Sequence, residues 1–217
     1  MSAIDLITGL SQTMFVLIFA LVALRTLRRA TPAHVDMTIF FGILAFVVIE
    51  SRIASLLGVI VPEWFTDTLI ATIVALPYVM LRLVDDFTSV PLLLVRASEV
   101  ALAAFAIALY ATPGATLPPP LILAIIAYFA LLFFYSAAMF VLAARRAQGV
   151  TRRRMQAISL GAIFFGLDVV AAGTAGFFPE PSRTLLAGSG QVLGLASGVS
   201  FYLGFVPPTF LDRKSVV

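Results

Sequence analysis

Three ionisable side chains, Glu50, Arg52 and Asp168, stand inside apolar runs long enough to cross a bilayer. In hydrocarbon such a group opposes insertion by roughly 2.5–3.5 kcal/mol, so it turns toward a protein interior and marks a ligand, ion or proton site. With 61% hydrophobic and only 12% charged residues, a chain of 217 residues carries far more apolar surface than a soluble domain can bury. The surplus faces lipid, which makes this an all-α polytopic membrane protein with a polar centre. The absence of cysteine excludes disulfides, thiolate metal sites and cysteine nucleophiles.

A hydrocarbon core of about 30 Å takes around 20 apolar residues as a helix. Seven such runs predict a seven-helix transmembrane domain over residues 1–206: 4–24, 37–61, 67–86, 91–112, 120–143, 156–178 and 184–206. Residues 207–217 then form a short cytoplasmic tail or the start of a linker. Eleven of the twelve prolines sit at or beside a boundary, and Pro77 alone lies inside a span. With the N-terminus outside, the inner loops collect twelve of the fourteen lysines and arginines, which gives an outside N-terminus and a cytoplasmic C-terminus. The first ten residues lack a basic n-region, so the first span is expected to be retained. The five arginines between the fifth and sixth spans are ordinary positive-inside charge or a contact for anionic lipid, and nothing in them suggests nucleic acid.

Counted from their helix ends, Arg52, Asp168, Tyr78, Tyr128 and Gln191 share one depth near the middle of the membrane. Together with Glu50 they are the candidate ligand-binding or switch residues. In the second span, some fifteen large apolar residues contribute roughly 0.3–0.6 kcal/mol each, against about 5–7 kcal/mol from Glu50 and Arg52. That near balance implies partners inside a bundle. Asp168 is the natural one for Arg52, either as a structural ion pair or as part of a site. Glu50 and Arg52 point about 200° apart, so they cannot both face one pocket unless helices surround the second span. Glu50 is a candidate protonation switch.

Pro77 removes one backbone hydrogen bond and is expected to bend the third span beside Tyr78, as a hinge or for packing. Gly190, Gly194 and Gly198 form a smooth strip that serves packing within the bundle or a homodimer contact. Arg82 shares a helix face with Asp85 and Asp86, and Arg96 with Glu99. The first group is either a solvated rim or a cytoplasmic latch between helices.

The only lysine is Lys214, so a retinal Schiff base has no lysine within the last span, and the single histidine, His34, cannot make a bis-histidine haem site. Zinc hydrolysis and phosphate-binding glycine loops lack their residues as well. No metal, cofactor or enzyme activity is expected. Leu76-Pro77-Tyr78 followed by residues 82–87 (Arg-Leu-Val-Asp-Asp-Phe), and residues 202–208 (Tyr-Leu-Gly-Phe-Val-Pro-Pro) followed by Leu211-Asp212-Arg213, resemble the N-terminal seven-helix input regions of bacterial sensor histidine kinases. The resemblance implies a signal-input region in the bacterial inner membrane, coupled to a cytoplasmic kinase or other output domain. It also implies that the chain is either a sensor region of a longer protein or a stand-alone relative.

Three readings follow. The leading one is a sensor in which a ligand, lipid or physical stimulus acts on the central polar groups and the change leaves through Pro207 and Pro208. A small transporter is the second, since spans 1–3 and 5–7 run in matching directions around a fourth, as in a three-plus-one-plus-three repeat. A passive anchor or dimerisation module is the third.

Overall fold

The computed structural model describes residues 3–58, 62–112 and 117–205, without the side chains of residues 3–5, 51, 52, 55, 56 and 63. These residues form eight α-helices and no strands: α1 (Ala3–Arg28), α2 (Pro32–Leu57), α3 (Glu63–Val74), α4 (Leu76–Asp85), α5 (Leu92–Ala111), α6 (Pro119–Arg146), α7 (Gly149–Ala175) and α8 (Ser182–Phe205). Seven helical segments are long and apolar enough to span a membrane, and α3 and α4 together make the third of them. A bilayer offers the backbone no hydrogen-bond partners, so a chain this apolar must satisfy its amides within helices.

Several helices run past the predicted ends of the apolar runs. α1, α6 and α7 extend through Arg28, Arg146 and Arg152–Arg154, because a helix continues into the interfacial layer as long as its outer turns are solvated there. α2 begins at Pro32, five residues earlier than the hydropathy suggests: Thr31 accepts the His34 amide and Pro32 takes the first position. It stops at Gly58, which adopts φ +60°. The one break within a span falls at Ala75, with Pro77 in the first turn of α4. The missing proline N–H interrupts the ladder where the sequence places the bend.

The helices close into a ring in the order α1, α2, α4, α6, α7, α8 and back to α1, while α5 lies outside it against α3 and α4. One end of the ring, its basic end, gathers the arginines of α1, α4, α6 and α7. Phenylalanines fill the ring on that side: Phe40 lies within 6.2 Å of the rings of Phe41, Phe133, Phe165 and Phe201. Phe133 and Phe165 approach to 4.9 Å, and Phe41 reaches Phe205 at 5.6 Å. Four helices thus meet through edge-to-face and tilted ring contacts that favour fixed ring geometry.

α7 packs on α8 more extensively than any other pair. Small residues make this approach possible. A Cβ on Gly161 would stand 2.6 Å from the Phe201 ring, and one on Gly204 would stand 2.5 Å from the Ile158 side chain and 3.1 Å from its backbone nitrogen. Ser197 donates to the Gly161 carbonyl (3.0 Å), and Ser159 donates to that of Ala137 on α6 (2.9 Å). Such interhelical bonds take the place of water where none is available. Gly204→Val is expected to destabilise the fold by about 1–3 kcal/mol. Gly188→Ala, with no atom within 4 Å, should be neutral or slightly stabilising. Thermal unfolding of both variants in one detergent checks the contrast.

Candidate functional site

On the other side of the phenylalanine layer, away from the basic end, the ring lines a partly open cavity of about 510 Å³. Every span except the fourth contributes to its wall, and the helical period explains which residues do. Thr8, Ser11, Gln12 and Phe15 on α1 recur at three- and four-residue steps, as do Ile122, Ile125, Ile126 and Phe129 on α6. Ile73, Val74 and Leu76 come from the break between α3 and α4. α2, α3 and α6 supply apolar side chains, and the polar groups cluster on α1, α7 and α8.

Asp168 is the one charged side chain among the described lining residues. A Cβ on Gly190 would lie 2.9 Å from its Oδ1, and a Cβ on Gly194 would lie 3.2 Å from its Oδ2. The carboxylate therefore sits in a seat that exists only because α8 has no side chains there. Gln191 lines the cavity beside it, and its Oε1 accepts the Thr8 hydroxyl at 2.9 Å. Ser11 is buried and donates to its own helix at the Ile7 carbonyl (3.0 Å). Two of the three strip glycines thus face Asp168. Gly198 instead meets Met14 and Phe15 of α1 at 3.7 Å, so all three are used in contacts within the chain.

The other residues singled out from the sequence lie elsewhere. Tyr78 turns toward α5, where its hydroxyl donates to Glu99 Oε1 (3.0 Å), and Glu99 Oε2 takes a 2.7 Å contact from Arg96. Tyr128 is buried against Phe105 and Phe129, and its hydroxyl has no hydrogen-bond partner among the described residues. Glu50 borders a shallow groove with Phe46, Ile53 and Phe65, separate from the cavity. The side chain of Arg52 lies outside the described residues, so the expected Arg52–Asp168 pair does too, as do Pro207, Pro208 and the tail. The structure brings Asp168 and Gln191 together and sets both tyrosines and Glu50 apart from them.

At the basic end, Arg82 reaches Asp36 of α2 at 3.0 Å. Asp36 is almost wholly buried while half of the Arg82 side chain is exposed, and Oδ1 makes no aligned hydrogen bond, so this is a charge contact. Asp85 accepts the Val90 amide (2.8 Å) and holds the turn into α5, and Asp86 is exposed. The pair that bridges two helices is Arg82–Asp36, with Asp36 unnoticed in the sequence. Nearby, Arg25 of α1 donates to the Phe205 carbonyl (3.0 Å) and Arg154 of α7 to that of Gly204 (2.9 Å). Two guanidinium groups thus reach carbonyls in the last described turn of α8. Thr8, Ser11 and Gln12 had escaped notice as well. Their shared helical face inside an apolar span is the signal that reveals them.

Comparison of the chain with protein-family models, with curated proteins and with solved structures gives no match in any of the three.

Arg82→Gln leaves the buried Asp36 carboxylate without its counter-charge and is expected to cost about 1–3 kcal/mol, less than for a fully enclosed pair because Arg82 is half solvated. Asp36→Asn/Arg82→Gln should recover part of that loss. Thermal unfolding of Arg82→Gln, Asp36→Asn and the double variant gives the coupling, and a double-variant loss equal to the sum of the two single losses would mean that the contact contributes nothing.

Proposed function

We propose that this chain is a signal-input region, in which a small molecule entering the cavity changes the seating of Asp168 on α8 and thereby moves α8 against α7. The observation that carries this reading is the cradle at Gly190 and Gly194. A ligand that contacts Asp168 acts at once on the helix pair with the largest mutual contact and on the cavity wall. The far end of α8 is gripped by Arg25 and Arg154, so displacement of α8 changes how the chain leaves the bundle. A ligand produces such a shift only by binding one arrangement more tightly than the other. Positive-inside charge supports a cytoplasmic basic end, with the N-terminus outside and the bacterial inner membrane as location. The resemblance of residues 76–87 and 202–213 to sensor histidine kinase input regions supports a two-component kinase as the output.

A second reading, a small transporter, is favoured by one feature: α5 stands outside the ring, so the ring is made of the first three and last three spans. Counterflow uptake by liposomes separates the two, because a sensor moves no solute.

In a fusion that places a reporter kinase after residue 217, Asp168→Asn and Gly194→Ala are each expected to change resting output at least about fivefold, with membrane insertion unaffected. Unchanged output in both variants, each folded, would falsify the assignment. Orientation is checked independently, because the native chain has no cysteine. A cysteine replacing Val150 should react with an impermeant maleimide only from the cytoplasmic side, and one replacing Ser182 only from outside.

A further inference from the structure

We infer that the cavity accepts an organic cation, a protonated amine carried on a compact apolar body. The inference rests on the reading of this cavity as a ligand site and names the chemistry that site would select.

Most polar groups that face the cavity are already engaged inside the protein. The Thr8 hydroxyl donates to Gln191, and the Ser11 hydroxyl donates to a carbonyl of its own helix, so both donors are already used inside the protein. The carbonyl oxygen of Gln191 is also engaged. Asp168 differs: among the described residues no hydrogen bond or ion pair reaches it. Its oxygens rest against Gly190 and Gly194, which supply room and no donor, since helical amides are spent on their own ladder. Gln12 has a contact of its own, and what remains for a ligand is the amide N–H of Gln191 and, on Asp168, negative charge with unfilled acceptor capacity. An isolated carboxylate enclosed by apolar walls is costly, and a counter-charge that also donates hydrogen bonds offsets that cost. An ammonium group meets both needs, while an anion would be repelled.

The remainder of the cavity sets the other half of the ligand. Leu44, Val47, Ile73, Ile125, Phe129 and Phe165 face it, and these side chains offer only dispersion contacts and shelter from water. At about 510 Å³ the space lies within the range of sites for drug-sized molecules, so an apolar body of one fused or caged ring system fits. Position 52 lies two four-residue steps beyond Leu44 and one beyond Val48 on α2. A positive group supplied from that position is the rival source of counter-charge, and it would neutralise Asp168 and remove the preference for a cation.

The test uses the full chain in lipid nanodiscs with three probes that share one cage: 1-adamantylamine, 1-adamantanol and 1-adamantanecarboxylate. The amine is expected to raise the unfolding temperature by about 5 °C at one hundred times its dissociation constant. The alcohol and the carboxylate should do so weakly or not at all. Asp168→Asn should weaken amine binding about thirty-fold or more while leaving the alcohol unchanged. If the alcohol binds as well as the amine and Asp168→Asn alters neither, the cation assignment is overturned while the cavity remains a ligand site. Tightest binding of the carboxylate overturns it too, by placing the positive charge in the protein. Failure of all three probes also overturns it, and the proposed signalling role then stands or falls on the reporter fusion alone.

Discussion

Two helices can share a carboxylate within hydrocarbon only if one of them gives up side chains to make room, and α8 does so at Gly190 and Gly194. The same economy of bulk continues along the pair at Gly161 and Gly204, where added carbon atoms would collide with Phe201 and Ile158. Close backbone approach lets Ser197 reach the Gly161 carbonyl and places the end of α8 within reach of Arg154. Were α7 and α8 farther apart, Asp168 would have no seat and Arg154 no target. The candidate site and the arginine contacts at the last described turn of α8 are therefore two consequences of one packing solution.

The ring gives that pair its setting. Its phenylalanines, packed between α2, α6, α7 and α8, separate an apolar-walled cavity from the arginine-rich end. Phe165 takes part in both, as a member of the aromatic layer and as cavity wall one turn from Asp168. The break at Ala75 adds Ile73, Val74 and Leu76 to the opposite wall. A rearrangement around Asp168 thus has a direct packed neighbour in the layer that leads toward the basic end, and packed layers of this density shift between discrete arrangements more readily than they deform.

Charges outside the cavity follow a different logic. Asp36 with Arg82, and Tyr78 with Glu99, pair across neighbouring helices, while Arg96 holds Glu99 from within α5, and in each group one partner keeps access to solvent. Half-solvated pairs of this kind are screened and contribute modestly, yet each fixes the rotation of one helix against another. Asp168 stands apart from them because glycine, rather than a counter-ion among the described residues, surrounds it.

Apolar length, proline position and the depth of each polar group are properties of the chain in one dimension. Seven spans, the break beside Pro77 and the nearness of Asp168 to Gln191 were accordingly legible before any coordinates. The direction in which a side chain points around its helix is another matter. Counting along the chain gives Tyr78 and Tyr128 the depth of Asp168, but one faces Glu99 on α5 and the other lies among Phe105 and Phe129. Arg82 has two acidic neighbours on its own helix face and pairs with Asp36 on α2 instead, because the ring order sets α2 beside α4. Hydropathy by itself determined the seven stretches long and apolar enough to cross a membrane. Only tertiary packing decided which of their polar residues meet, since that depends on the order and rotation of helices, which small residues such as Gly190 and Gly194 select by letting particular neighbours come close.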